Sequence, residues 1–289
     1  MSGSLLTYQG ARHLALRGRR RLEHMQSRVR QIAQRVGTRL APARLRAAIF
    51  KGAFRLMPEW QRDQFRRTYE MASVECSLRN MRALGFRPRR IVDVGAYVGD
   101  WTCMVKGIFP DASVLMVEAQ PSKQSQLLEV CEKYPGEVQC RMALLGPEAC
   151  AGVRFYELET GSSVLWEQSN VARREIRCEM RTLDGLLSGT RFGSVDFLKL
   201  DVQGYELEVL KGAEESLRGI QAILMEVSLL RVNKGAPLLH EVLRFMDERG
   251  FRAYDICSFI RRPLDNALWQ SDVIFMRVES PLLASECFN

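Results

Sequence analysis

The chain has 289 residues, 46% of them hydrophobic and 26% charged, and a formal net charge of +8. That is core-forming globular material, enough for one large domain with an extension or two small domains, and it excludes a disordered or fibrous chain. No apolar run reaches the length of a membrane span, the 8 cysteines form no C-x-x-C pair, and the 3 histidines form no metal-ligand cluster, so integral membrane, disulfide-scaffold and zinc classes lack support.

The opening "MSGSLLTYQGARHLALRGRRR" lacks a continuous apolar stretch, so no secretory signal is expected, although its arginine-rich, acid-poor character overlaps with mitochondrial presequences. Scattered thiols fit a reducing cytosol, and a cytoplasmic location is the expectation. The excess charge is concentrated in residues 11–56, where Glu23 stands almost alone against a dense series of arginines. An isolated basic arm can be a solvated helical extension. It can equally attract an anionic surface: a membrane, a lipid-linked glycan or, less favoured, nucleic acid. Residues 1–57 are therefore assigned as a basic helical extension, and residues 58–289 as the main domain.

The pattern over Glu59 to Leu84, with Trp60, Phe65, Tyr69, Val74 and Leu78 at helical spacing, predicts a helix stopped by Gly85. From Arg89 the period changes. "RIVDVGA", "SVLMVEAQ", "VQCRMALLG", "VDFLKLDVQG" and "AILMEVS" read as strands, and helical stretches follow the first, second, fourth and fifth. The third is followed by an irregular piece holding a strand-like "GVRFYELE" and the polar turn "TGSSVL". Such alternation predicts an α/β fold with a mostly parallel sheet covered on both faces. "FRAYDICSF" and "DVIFMRV" have no helix between them and should close the sheet as an antiparallel hairpin.

The chemistry-bearing residues sit at strand ends. In "VDVGAYVGD" a strand runs into a helix through Gly95, Ala96, Tyr97 and Gly99, a G-A-x-x-G loop that departs from the G-x-G-x-x-G of dinucleotide enzymes. Asp93 precedes the loop, where an anion would repel phosphates and welcome a cation; Glu118 ends the next strand, placed to accept ribose hydroxyls. S-adenosylmethionine is such a ligand, a phosphate-free adenosyl cation. In "FLKLDVQG" Lys199 and Asp201 point to the same face of an otherwise apolar strand. A structural ion pair, with Glu226 or Glu206 as the partner of Lys199, is favoured over a catalytic lysine. Two carboxylates, Asp201 and Glu226, could clasp a divalent ion, but with no third ligand no metal is assigned.

The segments "VDVGAYVGDWT", "VEAQPS", "RTLDGLL", "FLKLDVQGYELEVLKGAE" and "SDVIFMR" occur in the order found in the FkbM family of S-adenosylmethionine-dependent methyltransferases, which the chain resembles over roughly residues 85–278. The resemblance implies a class I methyltransferase (Rossmann-like) fold: a seven-stranded, mostly parallel sheet with an antiparallel C-terminal hairpin. It also implies methyl transfer to a hydroxyl of a sugar, glycolipid or other hydroxylated metabolite. By match, Asp93, Gly95 and Glu118 would contact the cofactor, and Ala96, Tyr97, Gly99 and Ala119 join that set. Asp201 would lie beside the methyl group as first candidate for general base, unless it binds the cofactor's ammonium or steadies the acceptor, with Glu226 and Lys199 as the other catalytic candidates. Ser162 and Ser163 match a serine pair that would face the acceptor, unless they cap the turn. Competing readings are a nicotinamide-dependent oxidoreductase, which the incomplete glycine loop and the hairpin ending count against, and a non-catalytic module that docks through its basic arm.

Overall fold

The computed structural model describes residues 72–168, 171–285 and 287, together with 52, 56–58 and 61–62. The chain divides into residues 1–67 and 68–289, and the architecture below is that of the second unit. The basic arm and the assignment of 1–57 as a helical extension lie almost wholly outside the described residues.

The main sheet contains β1 (Arg90–Val94), β2 (Ser113–Glu118), β3 (Val138–Met142), β7 (Phe197–Leu200), β8 (Ala222–Ser228), β9 (Phe251–Ile256), β10 (Ile260–Arg261) and β11 (Leu268–Arg277). Its order is β10-β11-β8-β7-β1-β2-β3, with β9 also paired to β11. The first five strands are mutually parallel, while β11 runs antiparallel to β8, β9 and β10. This is the doubly wound sheet with a reversed terminal hairpin that the sequence predicts. The outer position beyond β11 is shared by β9 and the two-residue β10, which makes the strand count eight rather than seven.

Alternate residues of each strand feed opposite cores, as the two-residue strand period requires. Ile91, Met116, Phe197, Leu224 and Ile274 pack under α1 (Val74–Ala83), α2 (Asp100–Ile108) and α3 (Gln124–Lys133). Val92, Leu198, Leu200 and Met225 face the other way, onto α4 (Leu183–Leu187), α5 (Glu206–Lys211), α6 (Glu214–Leu217) and α7 (Leu239–Asp247).

Three expectations are corrected. The helix predicted over Glu59 to Leu84 is not continuous: Gln61 and Arg62 are helical and so is Val74–Ala83, but Ser73 takes an extended conformation at the N-cap of the latter, and residues 63–71 lie outside the described ones; Gly85, at φ 104°, does stop it. The stretch "ELEVLKGAEESL" is two helices, not one. It breaks at Gly212, where a Cβ would lie 2.2 Å from the Gly146 carbonyl oxygen, so close backbone contact displaces helical continuity. The irregular piece after the third strand is a second, three-stranded sheet: β4 (Leu144–Leu145), β6 (Arg174–Arg181) and β5 (Cys150–Glu157), in that order. The sequence reading missed β6, "REIRCEMR", because its outward face is so rich in charge that only Ile176, Cys178 and Met180 mark the apolar side.

Candidate active site

Register places residues of five strands in two rows on one face of the sheet. Asp93, Lys199, Leu224 and Ile274 are neighbours across β1, β7, β8 and β11, on one face of the sheet. Two residues toward the sheet's carboxyl edge, that face continues as Glu118, Gly95, Asp201, Glu226 and Asp272, with Asp272 directly opposite Glu226. Open α/β sheets bind ligands at this edge.

The deeper row is a charge lock. Lys199 Nζ donates to the Gly95 carbonyl at 2.8 Å and lies 3.1 Å from Asp93 Oδ1 and 3.6 Å from Asp201 Oδ2. Thr102 of α2 donates to the other Asp93 oxygen at 2.8 Å. Burial by itself pushes the Lys199 ammonium down, but Asp93 and Asp201 outweigh it and the net shift is upward. Lys199 therefore stays charged, and its partner is Asp93 rather than Glu226 or Glu206: the tight β1–β7 register brings Asp93 alongside. Asp93 is 0% exposed and does not line the cleft. Its observed role is structural: it holds Lys199, and through Lys199 the Gly95 carbonyl. Gly99 does not line the cleft either. It caps α2 at φ 84°, where a Cβ would sit 2.9 Å from Val130 and 3.2 Å from Met116.

The remaining loop residues do come together. Gly95, Ala96, Tyr97, Glu118, Ala119 and Asp201 line one cleft, with Lys199 at its floor. Gly95 adopts φ 73°, and a Cβ there would lie 1.9 Å from the Asp201 carbonyl oxygen, so only glycine lets the ends of β1 and β7 abut. Glu118 accepts from the Tyr97 N–H and the Gln120 N–H, both at 2.8 Å, one on each oxygen. Two backbone bonds thus fix the carboxylate and leave each oxygen a lone pair toward the cleft.

Several contributors had no sequence signal. Leu144 and Phe155, from the second sheet, and Leu145 supply apolar wall. At the rim, Tyr97 donates to Glu159 at 2.6 Å, Lys123 pairs with the same carboxylate at 2.5 Å, and Lys123 lies 4.4 Å from the Tyr97 ring centre. Lys123 above all holds the Glu159 carboxyl below its ordinary value. Ser162 and Ser163 both make turn hydrogen bonds, and Ser162 also lines the cleft. Ser162 accepts from Leu158 N–H at 2.7 Å, and Ser163, 2% exposed, donates to the Gln203 carbonyl at 3.0 Å.

Beyond Asp201 lies a half-buried acidic group. Glu226 accepts from the Gln203 amide at 2.8 Å and the Gln270 amide at 2.6 Å. Its carboxyl is raised well above the ordinary value, by burial first and then by Asp201, Glu206 and Asp272. Asp272 is also raised, chiefly by burial. Glu206 accepts from the Val202 and Gly204 N–H groups at 3.0 and 3.1 Å and so fixes the turn after β7. Burial pushes its carboxyl up to about 7, against those hydrogen bonds.

An unfolded Glu titrates near ~4.3, so between there and about 7 the folded protein holds the extra proton. The resulting stability is present below that window and lost as pH rises through it. Glu206→Gln keeps an acceptor oxygen for both N–H groups and removes the charge. Its melting temperature is expected to fall less than the wild type's across that window in scanning calorimetry; parallel curves would refute the assignment.

Residues 93–253 match the Methyltransferase FkbM domain family, more than half of the chain. The chain belongs to the FkbM methyltransferase family. Among curated relatives, it is 26% identical over 145 residues to "Methyltransferase 1" of Beauveria bassiana, covering 43% of this chain and 58% of that protein. It is 24% identical over 144 residues to "Hexuronic acid methyltransferase AglP" of Haloferax volcanii, covering 47% of this chain and 54% of that protein. The matched regions thus span a little over half the length of each relative. Among solved structures, a precorrin-6y C5,15-methyltransferase from Geobacter metallireducens aligns with a TM-score of 0.42 at 11% identity, covering 70% of this chain and 86% of that one. The class I fold of this FkbM domain stands on its own strand order.

The cleft fits the donor that the sequence leads one to expect, S-adenosylmethionine. The pinned Glu118 carboxylate, the side-chain-free backbone at Gly95, the apolar wall and Asp201 suit an adenosyl cation. Lys199 at the floor is already engaged by Asp93, Asp201 and a carbonyl, which leaves it a poor seat for phosphate. Among the described residues no group of three or more His, Cys, Asp or Glu could hold a metal, and no helix is long and apolar enough to cross a membrane.

Proposed function

We propose that this FkbM domain transfers a methyl group from S-adenosylmethionine to a hydroxyl of a sugar, glycolipid or other hydroxylated metabolite. The observation that carries the reading is the side-by-side position of Asp201 and Glu226 near the ends of β7 and β8, Asp201 at the edge of the donor cleft and both bridged by the Gln203 amide. Glu118 would hold the ribose, Gly95 and Ala96 would let the backbone approach the donor, and Leu144 and Phe155 would flank the base. The donor supplies an activated methyl group on a sulfonium, so the residues around it mainly position the reactants. An alcohol must also lose its proton, and Asp201, with a side chain 38% exposed toward the cleft, is the candidate base. Glu226 sits deeper, where its raised carboxyl can donate to or orient the acceptor.

Calorimetric binding of S-adenosylmethionine, followed by transfer of a labelled methyl group to a panel of hydroxylated acceptors, tests the reading. Binding of NAD in place of S-adenosylmethionine would replace it with the oxidoreductase alternative.

The basic segment 11–56 supports a second, separable element of the proposal: peripheral contact with an anionic membrane or lipid-linked glycan. Flotation with anionic liposomes should weaken as salt rises and vanish when residues 1–57 are removed; salt-insensitive retention would defeat electrostatic docking.

A further inference from the structure

We propose that Gln203 is a positioning residue, which holds Asp201 and Glu226 in fixed relation on the acceptor side of the cleft. This deepens the methyltransferase reading and rests on it.

The residue is held from both ends. Its backbone is left-handed, at φ 56°, a strained region for a residue with a side chain. Its carbonyl accepts from Asn233 Nδ2 at 2.6 Å and from Ser163 Oγ at 3.0 Å. Those donors come from two different loops and are 5% and 2% exposed. The side chain then turns to the two acids: Nε2 lies 3.1 Å from Asp201 Oδ1 and 2.8 Å from Glu226 Oε2. A primary amide has two N–H bonds, so a single nitrogen can serve one carboxylate with each.

The surroundings explain why an amide stands there. The charged groups that face the pair are Lys199 on β7, Asp93 on β1, Glu118 on β2, Glu206 at the start of α5 and Asp272 on β11. Among these groups of the described residues Lys199 is the cation, and it is committed to Asp93 and Asp201. Gln270 adds a second neutral donor, to Glu226 alone. An acid at position 203 would add to the repulsion, and an apolar residue would leave two carboxylates short of a donor. A neutral bridging donor favours the ionised forms without adding charge.

Variants that respect the backbone test this. Gln203→Gly suits a left-handed turn, and Gln203→Asn tolerates one with an amide too short to span both acids. Carboxyl carbons are titrated by NMR in the free, labelled protein, so the readout needs neither donor nor acceptor. In both variants the Asp201–Glu226 pair is expected to titrate higher by about one pH unit, a tenfold change in proton affinity. Cooperative melting should be retained. In parallel, the acid limb of the kcat/KM profile should move the same way, with donor Kd within about threefold of wild type.

Unchanged titration of the pair, or a loss confined to donor binding, overturns the positioning role. Failure of the wild type to bind S-adenosylmethionine would instead overturn the methyltransferase reading, and the titration would still decide whether Gln203 sets the pair.

Discussion

Asp201→Asn is expected to lower the rate of methyl transfer by about 10²–10⁴-fold, the range over which a positioned general base contributes. The substitution is nearly isosteric, and a side chain 38% exposed gives it little weight in the fold. Lys199 keeps Asp93 at 3.1 Å and the Gly95 carbonyl at 2.8 Å, so the cleft floor should persist. Donor affinity measured by calorimetry should therefore change by less than about tenfold while kcat collapses, the pattern of a group acting in the transition state. The opposite pattern, with kcat intact and donor affinity lost, would assign Asp201 to holding the donor's ammonium. A kcat unchanged within about threefold would remove it from proton transfer.

Lys199→Met is expected to destabilise the domain by about 3–5 kcal/mol, because it leaves the fully buried Asp93 carboxylate without its cation. For a domain of this size that is a drop of about 6–20 °C in melting temperature. The Gly95 carbonyl loses its hydrogen bond as well, so the turn that brings β1 against β7 should loosen. Lys199→Met combined with Asp93→Asn removes both charges, and the double variant should recover part of the loss. A double-mutant cycle by thermal melting measures the coupling. Simple additivity of the two losses would show that the pair is not the lock described here.

Much of this architecture was legible in one dimension. Runs such as "RIVDV" and "AILMEVS", separated by helical stretches, specify buried parallel strands, because only strands covered on both faces read as continuous apolar runs. The incomplete glycine loop with an acid before it pointed away from pyrophosphate, and Lys199 and Asp201 announced themselves as charges inside an apolar strand. Those signals are local. They depend on side-chain alternation and on backbone conformations that few residues tolerate.

Partnership was not legible, since it depends on register between strands distant in sequence. Asp93 and Lys199 are neighbours only because β1 pairs with β7; without that register, Glu226 and Glu206 were equally reasonable partners. The same pairing makes Asp93 the buried counter-ion of Lys199. β6 escaped notice because one exposed, charged face dilutes the apolar period, and with it went the wall formed by Leu144 and Phe155. The bridging role of Gln203 rests on Asn233 and Ser163, carried by two separate loops that only the folded chain brings together. Sequence by itself determined the order of strands and helices and the chemical types at the sheet's carboxyl edge, since both follow from local periodicity and backbone preference. Tertiary structure decided which charges neutralise one another and which remain free for chemistry, because ion pairs and hydrogen bonds act over a few ångströms in space, whatever the separation along the chain.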